Sequence, residues 1–123
     1  MILVDTSVWI DHLRAGEPTL SALLEQGQVV GHAFVTGELA LGSLANRAVI
    51  LGALNDLPQA VLPTHAETLA FIDRHALHGL GIGYVDANLL ASARLTPDTT
   101  LWTRDKRLSS AAERLGLGAR GLI

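Results

Sequence analysis

The feature that most limits what this chain can fold into is an alternation. Short apolar runs suited to β-strands, Ile2 to Val4, Gln28 to Val30, Ala60 to Leu62 and Thr100 to Trp102, are separated by longer stretches with apolar residues at helical spacing. Strands that alternate with helices pair in parallel and are covered on both faces. The expectation is therefore an α/β protein, a three-layer α/β/α sandwich around a central, mostly parallel sheet. At 123 residues the chain has the length of one domain, so residues 1–123 are read as a single unit.

Local signals mark the helices. Thr6 and Ser7 are N-cap types ahead of Val8, Trp9, Ile10 and Leu13. A second helix is expected over about Thr19 to Gln26, and a third through Glu38, Leu39, Leu41 and Leu44 with Thr36 as its cap. Another runs from about Arg47 to Leu54, where Pro58 halts it. Thr64 and Glu67 form a capping box for a helix reaching about Leu77, which Gly79 ends. Tyr84 to Arg94 and Asp105 to Leu115 complete the set, and the last residues are expected to add an edge strand.

Hydrophobic residues make up 49% and charged residues 17%, which excludes a disordered chain, and the absence of cysteine excludes disulfides and thiolate metal sites. The start, MILVDTS, lacks the basic opening and long apolar stretch of a signal peptide. No apolar run approaches the roughly 20 residues a membrane helix needs, so a cytoplasmic protein is expected. The net charge is −3, but it is unevenly spread. From Thr100 onward five cations face two anions, whereas the remainder has four cations against ten anions. A basic segment beside an acidic body suits an enzyme that holds a phosphate chain next to clustered carboxylates.

Four acids stand where ligands gather in such a fold, at the carboxyl ends of strands and on adjoining helices. Asp5 ends the first strand, Asp105 follows the Thr100 to Trp102 strand, Asp86 opens a helix, and Glu38 lies within a mostly apolar helix. Several carboxylates brought together persist by protonation, by pairing with cations or by holding a metal, and an all-oxygen set suits Mg²⁺ or Mn²⁺. Each acid also has a plainer role open to it, as a helix cap or strand terminator.

The segments ILVDTSVWIDHLR, YVDANLLASA and TLWTRDKRLSSAAERLGL, with Glu38 between the first two, resemble the acidic blocks of PIN-domain proteins, especially VapC-type toxins of bacterial toxin–antitoxin pairs. The resemblance implies a Mg²⁺- or Mn²⁺-dependent ribonuclease that blocks translation, held inactive by a VapB-type antitoxin and assembled as a homodimer. It implies Asp5, Glu38, Asp86 and Asp105 as the metal-binding, catalytic quartet, with Thr6, Ser7 and Thr103 orienting carboxylates or water. Arg104, Lys106 and Arg107 are expected to touch the RNA backbone. Some PIN proteins carry a further acid three positions after the one matching Asp105, where this chain has Leu108, so one tightly held ion is expected, with a second recruited alongside the RNA. The helix containing Ala48, Val49, Ile50, Leu51, Ala53 and Leu54 is apolar on nearly every face, more than one core-facing stripe requires, and should meet a partner. The competing reading is a PIN-like module that binds RNA or protein without cutting.

Overall fold

A computed structural model describes all residues, Met1–Ile123. Strand β1 (Ile2–Val4) lies at the centre of a three-stranded sheet in the order β2-β1-β3, parallel to β2 (Val29–Val30) on one side and β3 (Thr100–Trp102) on the other. Consecutive residues of a strand face opposite sides of the sheet, yet Leu3 and Val4, Val29 and Val30, and Leu101 and Trp102 are all buried. Both faces are therefore covered, which explains why these strands read as unbroken apolar runs.

Seven helices supply the cover: α1 (Thr6–Ala15), α2 (Pro18–Glu25), α3 (Ala33–Ala40), α4 (Arg47–Asp56), α5 (His65–Arg74), α6 (Tyr84–Leu95) and α7 (Lys106–Arg114). The architecture is the expected α/β/α arrangement. Helix α6 is the most deeply set, with every residue from Ala87 to Ala93 buried. Its polar members are partnered: Asn88 Oδ1 accepts from the Thr68 hydroxyl of α5 at 2.9 Å, and Ser92 Oγ lies 2.9 Å from His32 Nε2. None of the helices is long and apolar enough to cross a membrane.

Three local expectations are corrected. Helix α3 starts at Ala33, not after Thr36, because the His32 side chain caps it: Nδ1 accepts from the Phe34 amide at 3.0 Å. That fixes the proton on Nε2, which donates to Ser92, and burial lowers the His32 pKa to about 4. Second, Ala60 to Leu62 form no strand; one bridge between Gly31 and Gln59 is all the sheet gains there. Pro58 and the turn around it leave only the Gly31 to Pro58 and Ala60 to Gly31 backbone bonds. Third, the terminal segment pairs with β3 through a single bridge, Leu101 to Gly118, and not as an edge strand.

Strand β1 is flanked by β2, which follows it in the chain, and by β3, which comes last. The chain thus turns to opposite sides of β1, and the carboxyl ends of β1 and β3 frame a crevice of the kind where ligands bind in parallel sheets. The ladder continues one step past β1, the Asp5 amide donating to the Trp102 carbonyl at 2.9 Å. Asp5 is delivered to the rim of that crevice.

Candidate active site

Asp5 is buried, and its Oδ2 accepts two hydroxyl hydrogen bonds, from Ser7 and from Thr103, each at 2.7 Å. Both hydroxyls are themselves held. Ser7 Oγ accepts from the Arg104 amide at 3.1 Å, and Thr103 Oγ1 accepts from the Asp105 amide at 3.1 Å. The start of α1 and the end of β3 are thereby locked together through one carboxylate oxygen. Although Asp5 occupies the N-cap position of α1, its side chain makes no capping bond, so its other oxygen is left to the crevice.

The remaining acids approach from three helices. Glu38, exposed near the end of α3, accepts at Oε1 from the Thr6 hydroxyl at 2.7 Å, which binds α3 to the first turn of α1. Asp86 Oδ2 accepts from the Gly83 amide at 3.2 Å. Asp105 caps α7, its Oδ1 accepting from the amides of Arg107 at 2.9 Å and Leu108 at 3.0 Å. Asp86 and Asp105 thus each spend one oxygen on a helix N-terminus, where the dipole favours negative charge, and keep the other.

Electrostatics shows that these acids share one neighbourhood. The Asp86 carboxyl titrates above the ordinary aspartate range, first because it is half-buried and then because the negative charges of Asp5, Asp105 and Glu38 oppose its ionisation, with the Gly83 amide acting the other way. No basic side chain relieves the crowding. The only two ion pairs in the molecule both belong to Arg104, which grips Asp11 at 2.6 Å and Glu17.

That pairing changes the standing of Arg104. Its guanidinium also donates to the Ile123 carbonyl and lies 5.6 Å from the Trp102 ring centre, so its charge is spent inside the fold. Lys106 and Arg107 are exposed and form no ion pair. The histidine tie between α3 and α6 was not anticipated. Histidine is not among the usual N-cap residues, and its partner Ser92 is 60 positions away, so no local signal announces it.

The donor set contains only oxygen, with a surplus of negative charge and hydroxyl groups fixing one carboxylate, which fits a hard divalent cation such as Mg²⁺. In the side-chain conformations present, no three His, Asp or Glu groups close on one point at ligand distance.

Residues 2–114 match the PIN domain, and the chain belongs to the PIN-domain family. Within that family it is similar to Ribonuclease VapC32 of Mycobacterium tuberculosis, from strains CDC 1551 / Oshkosh and ATCC 25618 / H37Rv alike. The identity is 50% over 117 residues, covering 95% of this chain and 94% of the relative.

Proposed function

We propose that the chain is a Mg²⁺- or Mn²⁺-dependent endoribonuclease, the toxin member of a VapBC toxin–antitoxin pair. One observation carries the reading: Asp5, Glu38 and Asp105 act together on Asp86, and no cation of the protein answers them. Similarity to a protein named a ribonuclease along nearly the whole chain supports the choice of RNA as substrate.

Asp5, Glu38, Asp86 and Asp105 are the residues that would hold the ion. A divalent cation bound there would supply Lewis acidity and, by lowering the pKa of water, would make hydroxide available near neutral pH for attack on a phosphodiester. The chain's own part is positioning. Ser7 and Thr103 fix one Asp5 oxygen so that the other points in a constant direction, and Thr6 does the same for Glu38.

The partner reading rests on a different surface. A groove of about 590 Å³ between α1, α3 and α4 is lined by Ile10, Leu13, Leu39, Leu44 and Ile50, and Glu38 stands at its edge. On α4 only Leu54 is buried, while Val49 is 71% exposed and Leu41, just after α3, is 90% exposed. An apolar surface of this kind, ending on a site acid, suits the apolar segment of an antitoxin, and a second copy of the chain would cover the outer face of α4.

The test is cleavage of a labelled RNA with Mg²⁺ or Mn²⁺ and with EDTA. Cleavage that needs the ion and stops in the chelator is expected. RNA binding with no cleavage under either ion would overturn the assignment.

A further inference from the structure

Helices α5, α6 and α7 bring their C-terminal ends together on the side of the molecule away from the acids, and arginines occupy that end. Arg114 of α7 donates to the His75 carbonyl, the C-cap of α5, at 2.7 Å. Arg94 of α6 donates to the Leu115 carbonyl, the C-cap of α7, at 2.8 Å. Arg74, in the last turn of α5, makes no hydrogen bond and no ion pair, yet it borders the same hollow of about 340 Å³ as His75 and Arg94. All three arginines depress the His75 pKa, after burial, so their charges are concentrated in one place.

Further cations on α7 lie between this cluster and the acidic end of that helix. A second groove, about 290 Å³, runs along α7 between Leu80 and the side chains of Lys106, Arg107, Ser110 and Arg114. Of its lining residues, Lys106 follows Asp105 in the chain and Arg114 donates to the carbonyl of His75 in the arginine cluster. Near its start, Arg107 lies against Gly81: a Cβ there would meet the guanidinium at 2.7 Å, and the glycine φ is +78°. A side chain at position 81 would displace the guanidinium, the flexible end of Arg107. None of these cations has a carboxylate at ion-pair distance.

We infer that the α7 groove and the Arg74, Arg94 and Arg114 cluster form a track for the phosphates of single-stranded RNA on one side of the scissile bond. This deepens the nuclease reading and rests on it. Helix α7 has nine residues, so the span from Asp105 to Arg114 is roughly 13 Å at 1.5 Å per residue. That length along α7 alone suits a few nucleotides of a single strand. Such contacts position the strand without reading its bases. Carbonyl capping explains why Arg94 and Arg114 sit at helix C-termini and the helix dipole favours Arg74 there, but Lys106 and Arg107 stand at the N-terminal end of α7, where the dipole does not favour them.

The experiment measures anisotropy of a fluorescein-labelled single-stranded RNA dodecamer with the full chain in EDTA, across a salt series, so that binding is read without cleavage. Arg74→Gln and Arg107→Gln are the informative variants because neither side chain makes a hydrogen bond in the fold. Each should flatten the plot of log affinity against log salt by about 0.7, the loss of one phosphate contact on a single strand, and the double variant by about twice that. The losses should be equal for two unrelated dodecamers. Arg120→Gln, exposed and off the track, should leave the slope unchanged. An unchanged slope in the double variant, or an equal fall with Arg120→Gln, would overturn the track. Neither result touches the metal-dependence of cleavage, which stands or falls by its own assay.

Discussion

The two ends of helices α6 and α7 obey the same electrostatic rule with opposite consequences. Carboxylates stand at the N-terminal ends and arginines at the C-terminal ends, each on the side its helix dipole favours. At the arginine end Arg94 and Arg114 each donate to a helix-end carbonyl oxygen, but neither has a carboxylate partner, so their net positive charge is kept. At the acidic end, helix amides and hydroxyls answer part of the charge, and the remainder burdens Asp86. A structure built to be complete would have placed an arginine there. The one arginine nearest in sequence, Arg104, is instead turned onto Asp11 and Glu17. On the proposed reading the acidic end takes its positive charge from a bound divalent cation, and the arginine end has charge to offer.

The strongest test of this contrast is Asp5→Asn. The carboxamide oxygen can still accept from Ser7 and Thr103, so the lock between α1 and β3 survives while one negative charge leaves. RNA cleavage should fall by at least about 100-fold, the upper end of what losing a supporting residue alone costs. The unfolding temperature in EDTA should not drop. Comparable cleavage by the Asn variant would demote Asp5 to a strand terminator.

A smaller effect is expected one step out. Thr103→Val keeps the shape of the side chain, removes a donor to Asp5 and leaves the Asp105 amide without its acceptor. Cleavage should fall about 10-fold to 100-fold. Stability should fall by about 1–3 kcal/mol, because polar groups in a buried site lose their partner. Thr103→Ser, which restores the hydroxyl, should recover most of both. Loss of activity without recovery by Ser would mean that the methyl group, not the hydrogen bond, matters.

The difference between these residues also shows what could be read from the chain beforehand. Asp5 and Asp105 were legible because each stands next to a strand, and strand ends are visible as a change from apolar to capping residues. Asp86 and the α5 capping box at Thr64 and Glu67 were legible for the same local reason. Contacts across long separations were not. Nothing near Arg104 says that it will fold back 93 and 87 positions to Asp11 and Glu17, so proximity to Asp105 suggested an RNA contact instead. Thr6 was expected to orient an acid, but that the acid is Glu38 depends on how α3 packs against α1. The Ala60 to Leu62 run failed as a strand for a related reason: strand composition is necessary, but a neighbour with free backbone groups must also be present, and only Gly31 offers itself.

The most delicate test concerns Asp86. Its carboxyl titrates higher in the folded chain than in the unfolded one, so the native state holds its proton more tightly. The stability it contributes is complete below the unfolded aspartate pKa and is lost as pH rises through the folded value. At neutral pH in EDTA the ionised residue is therefore a cost, felt against Asp5, Asp105 and Glu38. Asp86→Asn removes that cost while keeping an oxygen for the Gly83 amide. The variant should unfold at a higher temperature than the parent near neutrality, and the gap should close as pH falls through the carboxylate range. Adding Mg²⁺ should raise the unfolding temperature of the parent more than that of the variant, because an ion that binds only the folded state adds stability in proportion to the logarithm of its concentration over its dissociation constant. A variant less stable than the parent in EDTA would show that Asp86 serves the fold first, and the contrast between the two ends of α6 would lose its acidic half.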